Sequence, residues 1–214
     1  MKKTQSFAAL FDLDGVVIDT ESQYTVFWDK IGRDFLNIDG FGPKIEGQSL
    51  VKIFHDHFSA LSAEEISEIT RRMDELEVDL NMNYIPGVLK FLSNLKKHDI
   101  KTAIVTSSSK SKMESVYKKH PELVQYFDII LTSEDFTKGK PNPDCYLLAA
   151  QKLNMPTNAC YVFEDSYSGL LAGKQARMKV VGLATTHTKD EIIDKCDFVI
   201  TDFRRFSLRK LLKV

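Results

Sequence analysis

The stretch Phe7-Ala8-Ala9-Leu10-Phe11-Asp12-Leu13-Asp14-Gly15-Val16-Val17-Ile18-Asp19-Thr20 decides the fold. Its first residues are apolar and uncharged, and the run stops at two aspartates and a glycine. That pattern reads as a central parallel strand ending at a reactive edge. In open α/β sheets, ligands bind beyond the carboxyl ends of the strands. Two carboxylates are costly at such a place unless a cation or a substrate meets them. Asp12 and Asp14 are therefore the first candidates for chemistry.

Working outward, Thr20 can cap a helix whose first turn holds Glu21. Tyr24, Phe27, Trp28, Ile31 and Phe35 follow at helical spacing, so Trp28 reads as a packing residue. Residues 37–47 look like a loop, with three glycines and Pro43. One further helix is expected over about 50–58. Another begins at the capping box Ser62-Ala63-Glu64-Glu65 and carries Ile66, Ile69, Met73, Leu76 and Leu80. Residues 20–83 thus read as helices and loop without a strand, closed by the punctuation Tyr84-Ile85-Pro86-Gly87.

Strands and helices then alternate. Val88 to Leu95 forms one helical face and Thr102–Val105 a strand ending in Thr106-Ser107-Ser108-Ser109. Ser111 to Glu114 can box the next helix. Ile129–Leu131 is a strand, and Asn142-Pro143-Asp144 a helix start with Asn as cap and Pro at the first position. Tyr161–Phe163 is a strand ending at Glu164-Asp165, Gly169–Ala176 a helix, and Val180–Leu183 and Phe198–Ile200 are further strands. Alternation of this kind indicates an α/β protein with a parallel sheet and right-handed crossovers. The block 20–83 is then an all-helical insertion over the edge that carries Asp12 and Asp14. The core comprises 1–19 and 84–214.

Bulk properties narrow the function. The chain has 214 residues, a net charge of −1 and 43% hydrophobic residues, and its pI is near 6.5. It lacks the basic surplus of a nucleic-acid binder. No apolar run reaches the roughly 18 residues of a membrane span, and no secretory signal is visible. Cys145, Cys160 and Cys196 are far apart and read as reduced thiols of a cytoplasmic protein. His55 and His57, two apart, fall on different sides of a helix and make a poor metal pair.

Polar groups recur at the strand ends: Asp12 and Asp14, then Thr106, Ser107 and Ser108, then Glu164 and Asp165. Lys140 lies in the loop Lys140-Pro141-Asn142-Pro143-Asp144. Each has a bland reading when taken alone, as a helix cap, a turn residue or a solvated lysine. In order on a parallel sheet, they converge on one edge. Carboxylates from two strand ends make a hard oxygen site suited to Mg²⁺. Hydroxyls and free N–H groups at a strand-to-helix turn can hold phosphate oxygens, and a lysine adds charge for the same anion. One carboxylate remains as nucleophile and one as acid/base, which is the inventory of phosphoryl transfer.

Asp12-Leu13-Asp14-Gly15-Val16 with Asp19-Thr20, the Thr106 strand end, Lys140-Pro141-x-Pro143-Asp144 and Phe163-Glu164-Asp165-Ser166-x-x-Gly169 resemble the four motifs of the haloacid dehalogenase superfamily. The inserted helices resemble the cap of its β-phosphoglucomutase-like and phosphatase branch. The resemblance implies a Rossmann-like three-layer core and position-by-position roles. Asp12 would be nucleophile and Mg²⁺ ligand, and Asp14 the general acid/base with its carbonyl on the metal. Thr106, Ser107 and Ser108 would hold the phosphoryl group, which Lys140 would neutralise. Asp165, helped by Glu164, would complete the metal site.

The implied function is Mg²⁺-dependent hydrolysis of a small phosphorylated metabolite by a monomeric protein through an aspartyl-phosphate, with Tyr24 and Gln48 on the substrate side. The alternative is a sugar phosphomutase. Such mutases place a histidine where Tyr24 stands and a phosphate-gripping arginine at or near Leu50; leucine cannot supply that fork. A non-catalytic binding protein on the same fold would have lost Asp12, Asp14 or Lys140. The family also favours glycine before the methionine that ends the helix after the fourth motif. Arg177 stands there, which predicts a different helix termination.

Overall fold

A computed structural model describes residues 7–214. The expected core boundary at residue 1 lies outside the described residues. Strand β1 (Ala8–Phe11) is followed by α1 (Glu21–Ile31), α2 (Gly42–Ile45), α3 (Leu50–His57) and α4 (Ala63–Asp79). The chain then runs through α5 (Val88–Lys97), β2 (Lys101–Val105), α6 (Lys110–Lys119), β3 (Ile129–Leu131), α7 (Asp144–Lys152) and β4 (Cys160–Glu164). It finishes with α8 (Tyr167–Gln175), β5 (Lys179–Leu183), α9 (Lys189–Ile192), β6 (Phe198–Ile200) and α10 (Leu208–Leu211). The strands form one sheet in the order β3-β2-β1-β4-β5-β6, and every neighbouring pair is parallel.

Strand β1 is central because both of its faces are apolar. Ala9 and Phe11 point into one core cluster, where Phe11 stacks on Phe163 with ring centroids 4.4 Å apart. Ala8 and Leu10 point into the cluster on the other face, with Tyr146, Ala149 and Leu170. Such period-two alternation between two buried faces is what a doubly covered sheet demands. Pairing of Phe11 with Ile104 and with Phe163 brings the carboxyl ends of β2, β1 and β4 level.

The inserted helices have a separate apolar cluster of Trp28, Ile31, Phe41, Ile45, Ile53, Phe58, Ile69 and Met73. Trp28 is a packing residue there, stacked on Phe58 at 6.1 Å. The chain leaves the core at Asp19 and returns beside it, with the Asp19 N–H donating to the Asn83 carbonyl at 2.7 Å. The Ile85 N–H donates to the Val17 carbonyl at 3.0 Å.

Several local expectations change. Thr20 does not cap α1; its hydroxyl donates to Asp14 instead. The helix face expected to reach Phe35 passes into a π-turn at Gly32–Leu36, and the loop 37–47 contains the short α2. The capping box at Ser62 forms as expected. The one expected at Ser111 does not, because α6 starts earlier and Ser109 accepts the Lys112 N–H at 3.2 Å. Helix α7 begins at Asp144, one residue later than expected, with the Asn142 side chain accepting the Asp144 N–H at 3.0 Å. At the end of α8, Arg177 takes the left-handed conformation itself, at φ 58°. Its N–H donates to the Lys174 carbonyl, and Met178 N–H to the Gly173 carbonyl. This is the Schellman termination that glycine normally serves, so the expected different termination is replaced by a strained residue in the usual one.

Candidate active site

The site lies where β1, β2 and β4 end. Lys140 is 2% exposed, and its ammonium sits 2.7 Å from Asp12 Oδ1 and 2.5 Å from Glu164 Oε1. Asp12, Glu164 and Asp165 are all buried and each offers a carboxylate oxygen within 4.8 Å of the others. Burial pushes the Asp12 carboxyl up to about 7 despite the Lys140 ammonium, with Glu164 and Asp14 adding to the rise. Burial also pushes Asp165 well above the ordinary range, and the charges of Glu21, Glu164 and Asp12 add to it. Burial disfavours the Lys140 ammonium, but the Asp12 and Glu164 carboxylates outweigh it and hold the group above its ordinary value. One lysine faces three crowded buried carboxylates. A hard, multivalent cation fits this surplus of oxygen donors and negative charge.

The three carboxylates differ in how they are held. Glu164 accepts the Tyr146 hydroxyl at 2.8 Å on Oε1. Its Oε2 accepts the backbone N–H groups of Asp165 and Ser166 at 3.1 and 3.2 Å and the Ser166 hydroxyl at 3.2 Å. Together with Lys140, these donors pin its orientation. Asp165 accepts only the Thr186 hydroxyl among the hydrogen bonds described. Two glycines allow this crowding. A Cβ on Gly15, at φ +68°, would lie 1.9 Å from Asp165 Oδ2, and one on Gly169 would lie 1.8 Å from Glu164 Oε1.

Asp14 faces the other way. Its Oδ1 accepts the Thr20 hydroxyl and, at 2.6 Å, the Lys112 ammonium. Its Oδ2 accepts the Ser108 hydroxyl at 2.8 Å. Burial opposes the charge, but Lys112 and these hydroxyls hold the Asp14 carboxyl below its ordinary value. Lys112 is 4% exposed and lies 4.1 Å from the Tyr24 ring centroid. It was not anticipated. The available signal was the first turn of α6, which carries Lys110 and Lys112 and no acid, against the helix dipole. Glu21 and Tyr146 were also missed. Burial, followed by Asp14, pushes the Glu21 carboxyl up to about 8.

The remaining sequence candidates also converge. Thr106 is buried and its hydroxyl accepts the Ser108 N–H at 3.0 Å. The Ser107 hydroxyl reaches across to the Gly47 carbonyl at 3.2 Å, tying the sheet edge to the insertion. Asp12, Asp14, Thr106, Ser107 and Ser108 line one side of a cavity of about 80 Å³, and Tyr24, Trp28, Gln48 and Leu50 line the other. The Tyr24 hydroxyl donates to Glu77 at 3.3 Å. His55 and His57 belong to no metal-binding group among the described residues, and all three cysteines are free. No helix is long and apolar enough to cross a membrane.

The sequence profile of the haloacid dehalogenase-like hydrolases matches residues 9–183. The Arabidopsis thaliana bifunctional riboflavin kinase/FMN phosphatase is 29% identical over 97% of this chain, which spans 56% of that protein's length. Glycerol-1-phosphate phosphohydrolase 1 of Saccharomyces cerevisiae is 30% identical over 90% of this chain and 81% of its own. The crystal structure of a family IA, variant 3 hydrolase from Entamoeba histolytica has the same fold, with a TM-score of 0.81 at 24% identity, covering 97% of this chain and 98% of that one. Profile, relatives and the carboxylate–lysine edge agree, and the chain belongs to the haloacid dehalogenase-like hydrolases, in their phosphatase branch.

Proposed function

We propose that the protein hydrolyses a small phosphorylated metabolite in a Mg²⁺-dependent reaction, with Asp12 as nucleophile and residues 20–83 as a cap over the site. The observation that carries this reading is the buried Asp12 carboxylate, 2.7 Å from Lys140 and grouped with Glu164 and Asp165 at the edge of the cavity. Asp12 and Asp165 would hold the ion, with Glu164 beside them and the Asp14 carbonyl as a further oxygen. Mg²⁺ when bound supplies neutralising charge for the phosphoryl oxygens.

The chain's own groups do the rest. Thr106 and Ser107 receive the phosphoryl oxygens, and Lys140 keeps Asp12 oriented. An Asp12 oxygen attacks phosphorus while the bond to the ester oxygen breaks, and the leaving oxygen takes a proton from Asp14. Asp14 then accepts a proton from water as that water attacks the aspartyl-phosphate. The bond from phosphorus to Asp12 breaks, and inorganic phosphate leaves. Thr20, Ser108 and Lys112 favour ionised Asp14, the form needed for the second half. The first half requires Asp14 to carry its proton, so these contacts must loosen when substrate enters.

Hydrolysis is favoured over a mutase cycle because Leu50 lines the cavity and no arginine does among the described residues. A mutase must grip a second phosphate, and a bidentate fork is the usual means. The test is release of phosphate from p-nitrophenyl phosphate with Mg²⁺ and with EDTA, for the wild type and Asp12→Asn. We expect turnover only in the wild type with metal. Full activity of Asp12→Asn would remove the nucleophile assignment.

A further inference from the structure

Resting on the phosphatase reading, we propose that the cavity selects an uncharged, hydroxyl-rich leaving group, of alditol or sugar type, and rejects leaving groups that carry a second anion. The charge of the wall carries the first half of this inference. Among the described residues lining the cavity, Lys112 is the one cation. It is already committed, 2.6 Å from Asp14 with its side chain 5% exposed. Three glutamates, Glu21, Glu46 and Glu77, line the same cavity. At pH 8 Glu46, which burial pushes up to about 7, is ionised, and so is part of the Glu21 population. A carboxylate or second phosphate entering there meets like charge, and can gain a cation only by taking Lys112 from Asp14. Selectivity built on repulsion of the wrong ligand is effective because the penalty falls on that ligand alone.

The second half rests on acceptors that lack donors. Gln48 gives its amide N–H to the Lys44 carbonyl at 3.2 Å, while its Oε1 is buried without a hydrogen-bond partner. Glu46 is similar: Oε1 accepts the Thr25 hydroxyl at 3.2 Å, and Oε2 makes no hydrogen bond. The Glu46 side chain is 10% exposed, and His187 Nε2 lies 3.3 Å from Oε2 without bonding to it. Buried acceptors without donors are costly, and hydroxyl donors on a ligand would relieve them. Between these groups the wall is apolar, with Trp28, Ile53 and Met73 available to the C–H faces of a polyol.

The test uses a matched pair in which one terminal CH₂OH becomes a carboxylate: sorbitol 6-phosphate against 6-phosphogluconate. The full chain is assayed at pH 8 with Mg²⁺, and p-nitrophenyl phosphate is run in parallel. We expect kcat/KM to favour sorbitol 6-phosphate by about a hundredfold. A ratio of tenfold or more supports the proposal, and any smaller or reversed ratio overturns it. Gln48→Leu should lower kcat/KM for sorbitol 6-phosphate by about tenfold, chiefly through KM; an unchanged value would overturn the assigned role of that acceptor. Failure to hydrolyse any compound, p-nitrophenyl phosphate included, would remove the phosphatase reading instead. The pocket is then judged by calorimetric titration of the same two compounds. A tenfold preference in Kd for sorbitol 6-phosphate supports the proposal, while a smaller preference, or no binding of either, overturns it.

Discussion

Replacing Lys140 with methionine tests the electrostatic centre of the protein. The ammonium is 2.7 Å from Asp12 and 2.5 Å from Glu164, and both partners are buried. Methionine keeps most of the side-chain volume, so packing changes little and the charge is lost. Removing one partner of a buried ion pair costs about 3–5 kcal/mol, because the other charge is left without compensation. Here two carboxylates lose the same cation, with Asp165 beside them, so the upper part of that range applies to the metal-free protein. At 2–4 °C per kcal/mol for a chain of this size, the melting temperature in EDTA at pH 8, where Asp12 is ionised, should fall by roughly 8–20 °C. Urea unfolding with an unchanged m-value would locate the effect in the native state. Excess Mg²⁺ should recover part of the loss, since a divalent cation in the carboxylate group replaces the missing charge. Lys140→Arg should fail to restore the wild type, because a planar fork cannot occupy a closed site shaped around a point charge. A loss below about 1 kcal/mol in EDTA would show that Lys140 does not neutralise these carboxylates, and the charge argument for the site would fall with it.

Further outcomes follow from the same geometry. Asp12 is pushed up to about 7 from an ordinary 3.8, so the native protein holds a proton that the unfolded chain has already released. In EDTA, stability should therefore fall as pH rises from about 4 to about 7; Asp12→Asn should flatten that slope, and an unaltered slope in denaturation curves would contradict the shift. Gly169→Ala would put a methyl group 1.8 Å from Glu164 Oε1, so it should displace Glu164, lower the melting temperature and abolish turnover; a wild-type crystal structure and rate would refute the close approach. Asp14→Asn should slow alkyl phosphates far more than p-nitrophenyl phosphate, whose leaving group needs no acid. Equal losses on both would argue against the acid role.

How much of this was readable depended on distance along the chain. The convergence of Asp12, Asp14, Thr106 and Asp165 was legible because each sits at the end of a short apolar run. Parallel strands bring such ends to one edge whatever the intervening sequence. Lys140 was legible through its neighbours more than its own chemistry, since a loop lysine alone reads as solvated. Arg177 was read correctly as an anomaly and wrongly as a different helix end. The Schellman hydrogen bonds outweigh the strain of a non-glycine residue at φ 58°.

The sequence by itself determined the α/β class, the helical insertion and the carboxylate–lysine edge, because apolar periodicity and the strand-end rule are local and topological properties. Only the tertiary structure decided which donors meet which carboxylates. Thr20 looked like a helix cap and instead holds Asp14. Glu164 looked like one more ligand and proved to be locked by Tyr146, Ser166 and Lys140. Lys112, on a helix with no motif, became the partner of Asp14 because the rotation of α6 turns its first turn inward toward the inserted helices. These pairings join residues as many as 98 positions apart. They depend on side-chain directions that no sequence period encodes, and the character of the cavity depends on them in turn.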